Sequence, residues 1–156
     1  MEATAVWRGL DAYRTEYADV RIDGPRLFAR GTQVGIEPEP YLLRYQLEPG
    51  RVALEIDAGP ALELELGEHD AFDLAFSPLF NSIPVLRDSL HEGGDARDYL
   101  MAFVSVPELT VEESRQRYEP LGPGLVRFRS GDFVADLELD QDGLVRKYEG
   151  LAERIT

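Results

Sequence analysis

Four stretches of this chain repeat apolar residues with period two, and that pattern constrains the fold more than any other feature. Tyr41, Leu43, Tyr45 and Leu47 occupy one parity, with Arg44, Gln46 and Glu48 on the other. Val52, Leu54 and Ile56 alternate with Ala53, Glu55 and Asp57, and Leu62, Leu64 and Leu66 with Ala61, Glu63 and Glu65. Phe133, Ala135, Leu137 and Leu139 alternate with Val134, Asp136, Glu138 and Asp140. Such alternation marks strands with one dry and one wet face, hence an antiparallel sheet. Glu48-Pro49-Gly50, Ala58-Gly59-Pro60, Ser130-Gly131-Asp132 and Gln141-Asp142-Gly143 supply turns between or after these runs. Residues 41–66 and 125–148 therefore read as antiparallel meanders. Acidic outer faces would crowd like charges unless Arg44, Arg127 and Arg129 interleave as cross-strand partners.

The segment Ala71–Arg87, AFDLAFSPLFNSIPVLR, breaks the pattern. Pro78 and Pro84 push Ser77 and Ile83 away from the α region, and Leu79, Phe80 and Ile83 lie between the prolines. The segment reads as a buried irregular crossing. Asn81 within it either caps its own loop or offers an amide to an apolar cleft, and Arg87 either pairs with a strand carboxylate or meets a polar ligand end. Residues 91–98, HEGGDARD, read as a mobile loop. Residues 108–118 read two ways. Thr110 and Glu113 match a capping box before good helix formers, whereas Leu109, Val111 and Tyr118 are too sparse for a helical stripe.

The 156 residues suit one domain, 1–156, and 44% hydrophobic residues suffice for a core. The formal net charge of −14 disfavours nucleic acid and anionic membrane surfaces as partners. Absence of cysteine excludes disulfides and thiol chemistry. No signal peptide or membrane span is legible, so a cytoplasmic location is expected. The catalytic inventory is thin. His69 and His91 lie in polar, turn-like sequence and read as solvated; no metal-ligand spacing, nucleophile elbow or phosphate loop is present. No catalytic residue, metal or cofactor is assigned. Trp7 either covers one end of the core or stacks on a ligand.

Three ordered motifs resemble a bacterial family described as putative glycolipid-binding, formerly a domain of unknown function. The first comprises Asp73, Leu74, Pro78, Asn81, Pro84 and Arg87; the second Val106, Pro107, Leu109, Val111, Gln116 and Tyr118; the third Asp140, Gly143, Leu144, Val145 and Tyr148. Trp7 and Glu16 fit the family's early Trp and Glu, while Phe80 and Leu86 depart from its usual Thr and second Arg. The resemblance implies a mainly β fold: an antiparallel spiral β-roll, or curled sheet, with at most one or two short helices and residues 108–118 extended. It also implies non-catalytic binding of a lipid-like small molecule in the roll's apolar interior. Trp7, Phe80, Asn81, Arg87 and Tyr118 are the residues expected at that ligand, with Asn81 and Arg87 at its polar end. Two other classes stay open: a structural or protein-interaction β module, and a small hydrolase or isomerase, which would place a titratable group of shifted pKa in a pocket.

Overall fold

The alternating runs are strands in the computed structural model, which describes residues 1–156. Tyr41–Glu48 (β4), Arg51–Ile56 (β5) and Ala61–Glu65 (β6) form one meander. Val111–Gly122 (β9), Leu125–Ser130 (β10), Phe133–Leu139 (β11) and Val145–Tyr148 (β12) form another. Residues 111–118 are thus extended, and the capping-box pattern is overridden. β9 alternates exposed Arg115 and Arg117 with buried Gln116 and Tyr118, a period that only a strand can satisfy. The remaining strands are Glu2–Gly9 (β1), Arg14–Asp23 (β2), Arg26–Gly35 (β3), Ala71–Leu74 (β7), Arg97–Val104 (β8) and Ala152–Arg154 (β13). Arg127 stands opposite Asp136 and bonds both its oxygens, at 2.9 and 3.3 Å. Arg44 faces Glu55 and lies 3.8 Å from Asp57. Arg129 is a correction: its register partners are Arg117 and Val134.

All thirteen strands join in one sheet of order β6-β5-β4-β3-β2-β1-β13-β12-β11-β10-β9-β8-β7. Every neighbouring pair is antiparallel except β7 and β8. β6 and β7 are consecutive in sequence yet form opposite edges of the sheet. The Leu66 N–H bonds Gly50 and the Asp70 N–H bonds Leu100, so four peptide steps reach from one side to the other. A trans step spans about 3.8 Å, which limits that gap to about 15 Å. The sheet is therefore curled almost to closure without closing, the architecture expected of a β-roll.

A parallel pair needs a crossover, and here it is a helix, Pro78–Asp88 (α1), followed by a 3₁₀ turn at Leu90–Glu92. The expected irregular crossing is thus corrected. Ser77 is extended, as the pre-proline rule requires, and its hydroxyl accepts from the Phe80 N–H; Pro78 occupies the first helical position, where its missing donor is harmless. Ser-Pro here is a helix start. Pro84 lies inside the helix, so the rule fails at Ile83. Burial of Leu79, Phe80, Val85 and Leu86 outweighs that local penalty, because the helix is the plug of the curled sheet. The expected mobile loop also shrinks. His91 and Glu92 belong to the 3₁₀ turn and Arg97 and Asp98 to β8, leaving 93–96 outside both.

The interior is filled. On one side of α1, Trp7, Leu43, Tyr45, Leu79 and Phe80 pack together; on the other, Val85, Leu90, Met101, Tyr118 and Leu137 do. Room for the tyrosines comes from glycines on the adjacent strand. Gly31 lies opposite Tyr45 and Gly35 opposite Tyr41, and each ring folds over the bare Cα of its partner. An apolar interior left open for a ligand, as the resemblance implies, is not what these side chains form.

Candidate ligand-binding cleft

The polar residues that burial leaves conspicuous fall in two groups, both beside α1. In the first, Glu16 on β2 is 2% exposed. Its carboxylate accepts from the Tyr45 hydroxyl at 2.7 Å, the Ser77 hydroxyl at 2.6 Å and, at 3.4 Å, the Leu79 N–H in the first turn of α1. Burial pushes its carboxyl up to about 7, against the opposing effect of those hydrogen bonds and of Arg14. Gln33 works alongside it, accepting from the Tyr41 hydroxyl at 2.5 Å and donating to the Ala75 carbonyl at 3.1 Å. Together Glu16 and Gln33 tie the sheet to the turn at 75–77, where Phe76 adopts a φ of 64°. This group holds the helix start in place.

The second group faces a cleft of about 400 Å³ on the β7–β9 side. Asp73 enters from β7. Burial pushes its carboxyl up to about 6, against the Gln116 and Leu74 hydrogen bonds that favour the charged form. Gln116 on β9 donates its amide to Asp73 at 2.7 Å and lies 3.3 Å from the Ser114 hydroxyl. Its carbonyl oxygen is buried and has no partner. Asn81 on α1 donates to the Tyr118 hydroxyl at 2.9 Å. Phe76, Phe103, Phe128, Phe133 and Tyr148 give the cleft its apolar surface. Phe133 is half exposed and meets Phe128 edge-on at 6.1 Å. Mostly apolar walls with a few oriented polar groups suit an amphipathic small molecule.

The five residues expected at a ligand are only partly brought together. Asn81 lines this cleft, and Tyr118, 1% exposed, lies bonded to it from the core. Phe80 is buried edge-on against Tyr45 at 5.2 Å, and Trp7 is buried with its indole N–H donated to the Val145 carbonyl at 2.7 Å. Arg87 points away from Asn81: six helical residues turn it by about 120°. It lines a different cleft, of about 360 Å³, with Leu27, Leu47, Leu66 and Phe72, and there it donates to the Asp70 carbonyl at 2.8 Å. One polar end shared by Asn81 and Arg87 is therefore corrected to two separate sites. The histidines also differ from expectation. His69 lies between the Leu66 carbonyl and Glu113, and the Nδ1 of His91 is buried without a partner. Asp73 and Gln116 were legible only as motif positions; an acid inside the apolar run AFDLAF was the available signal. No group of three or more metal-ligating side chains occurs.

Residues 59–154 match the family model described as "Putative glycolipid-binding", and the chain belongs to that family. The match includes Asp73, Asn81 and Gln116 and leaves out β1–β5. A crystal structure of a DUF1089 family protein from Pseudomonas aeruginosa superposes with a TM-score of 0.72 at 21% identity, covering 90% of this chain and 92% of that one. The two share the curled-sheet fold. No curated protein matches the sequence. No helix of the structure is long and apolar enough to cross a membrane.

Proposed function

We propose that this protein binds, without chemical conversion, a lipid-like molecule with a hydroxylated head, and that the head sits in the cleft between β7, α1 and β9. The family description supports the ligand class. The observation that carries the site is the Gln116 carbonyl oxygen, buried in the cleft wall without a hydrogen-bond partner. An unpartnered buried acceptor costs about 1–3 kcal/mol, and a ligand hydroxyl recovers that cost. Phe103, Phe128, Phe133 and Tyr148 supply the apolar surface for the rest of the molecule. Because the roll is filled, binding is assigned to this outer cleft.

Native mass spectrometry of the freshly purified protein, followed by organic extraction, tests the reading. A bound amphiphile is expected, with occupancy reduced about tenfold or more in Gln116→Leu, whose stability should fall by about 1–3 kcal/mol because the buried Asp73 loses its amide donor. A clean mass with no uptake from a lipid extract would remove the proposal. One observation favours a hydrolase instead: Asp73, with its carboxyl raised to about 6, can exchange a proton near neutrality. Release of nitrophenol from a nitrophenyl glycoside that stops in Asp73→Asn would place the protein in that class.

A further inference from the structure

The cleft's charge says which head group it takes. Among its lining residues Asp73, Glu112 and Glu113 are acidic and none is basic. Nearby basic side chains are already engaged. His69 lies 3.3 Å from Glu113. The Arg14 guanidinium stacks on the Phe76 ring, 4.1 Å from its centroid, and its side chain, 7% exposed, is paired with Asp11 at 3.2 Å. The hydrogen-bonding inventory points the same way. The Gln116 amide is committed to Asp73 and that of Asn81 to Tyr118, whereas the Gln116 carbonyl oxygen, though buried, has no partner. The wall is thus rich in acceptors and has its side-chain amide donors occupied. A phosphate, sulfate or carboxylate brings only acceptors and negative charge, and would be desolvated beside the buried Asp73 carboxylate, with the exposed Glu112 and Glu113 adding a weaker, screened repulsion. An ammonium or hydroxyl brings donors that the Gln116 carbonyl oxygen and the Asp73 carboxylate can accept.

Building on the cleft reading above, we infer that this site selects an amine-bearing sugar head group over an anionic one, with an unmodified neutral sugar between them. Asp73 is the counter-charge and Gln116 the acceptor for a neighbouring hydroxyl. The selectivity is electrostatic and local, so it responds to Asp73 more than to the net charge of the whole chain.

The test uses three alkyl glycosides with one tail: octyl glucoside, its 2-amino-2-deoxy analogue and octyl glucuronide. Each is titrated into the full chain by calorimetry below its micelle concentration at pH 7.5. The expected order is amine, then neutral, then uronide, with at least about a tenfold span, since close charge pairs in a partly buried site exceed that amount. Asp73→Asn should shrink the gap between amine and neutral glycoside. Glucuronide binding as tightly as the amine would overturn the head-group selection and leave the binding reading standing. Failure of all three to bind would overturn both.

Discussion

Gly31→Ala is expected to destabilise the protein by about 3–5 kcal/mol. The objection to a methyl group there is space. A Cβ at position 31 would lie 2.2 Å from Cζ and 2.3 Å from the hydroxyl of Tyr45, whose ring lies flat across that Cα. Tyr45 must swing away, and overpacking of this kind costs about 1–3 kcal/mol. Its hydroxyl then leaves Glu16, and a lost hydrogen bond to a buried charged group adds about 1.5–3 kcal/mol. The edge-on contact with Phe80 goes too. Urea unfolding of the single variant, and of the same change in a Tyr45→Leu background, checks the mechanism. With the ring gone, alanine should cost little or even help, because glycine is a poor strand residue. Equal costs in both backgrounds would show that Tyr45 is not the obstacle.

Glu16→Gln should stabilise the protein at alkaline pH by about 2–3 kcal/mol. Unfolded, this carboxyl ionises near its ordinary value of 4.5; folded, near about 7. Between those values the folded state holds the extra proton, so stability from this group falls as pH rises through that window and is level above it. Each tenfold in proton affinity corresponds to about 1.4 kcal/mol, which makes the cost about 3 kcal/mol when complete. Asp73 contributes in the same direction between 3.8 and about 6. Glutamine keeps an acceptor for Tyr45 and Ser77, but its NH2 group then faces the Leu79 N–H in place of the acceptor at 3.4 Å, a cost that does not vary with pH and offsets part of the gain. The difference between variant and wild type, followed by urea unfolding at pH 4.5, 6 and 8, should be small at the lowest pH and largest at the highest. A difference that does not vary with pH would mean that burial does not move the Glu16 carboxyl from its ordinary value.

The strands were legible because their information is local. Period-two alternation over 41–66 and 125–148, punctuated by Gly50, Gly131 and Gly143, needs no knowledge of the partner strand. The plug was not legible for the opposite reason. Pro84 reads as a helix breaker on local rules, and only burial of Leu79, Phe80 and Leu86 against the curled sheet makes the helix worth forming. Ser77-Pro78 carried a correct local signal, but the second proline masked it. The cleft was partly visible through Asn81. Its acceptor wall depends on β7 lying parallel beside β8, with β9 next, which brings Asp73 to Gln116 across 43 positions of sequence. Arg87 shared a motif with Asn81, yet helical geometry sends the two side chains to different clefts. Glu16 and Gln33 lie on the inward parity of β2 and β3, in line with Ala18 and Val20 and with Leu27 and Ala29, and α1, Tyr41 and Tyr45 supply their polar partners.

The cleft assignment is tested most directly by ¹H–¹⁵N spectra of the full chain titrated with octyl glucoside below its micelle concentration. The side-chain amides of Asn81 and Gln116 report from inside the cleft without any substitution. Shifts concentrated on those two amides and on the backbone of Asp73, Phe103 and Phe133 are the expected result. Shifts centred instead on Arg26, Leu66 and Arg87, or none at saturating ligand, would contradict binding at the β7–β9 cleft.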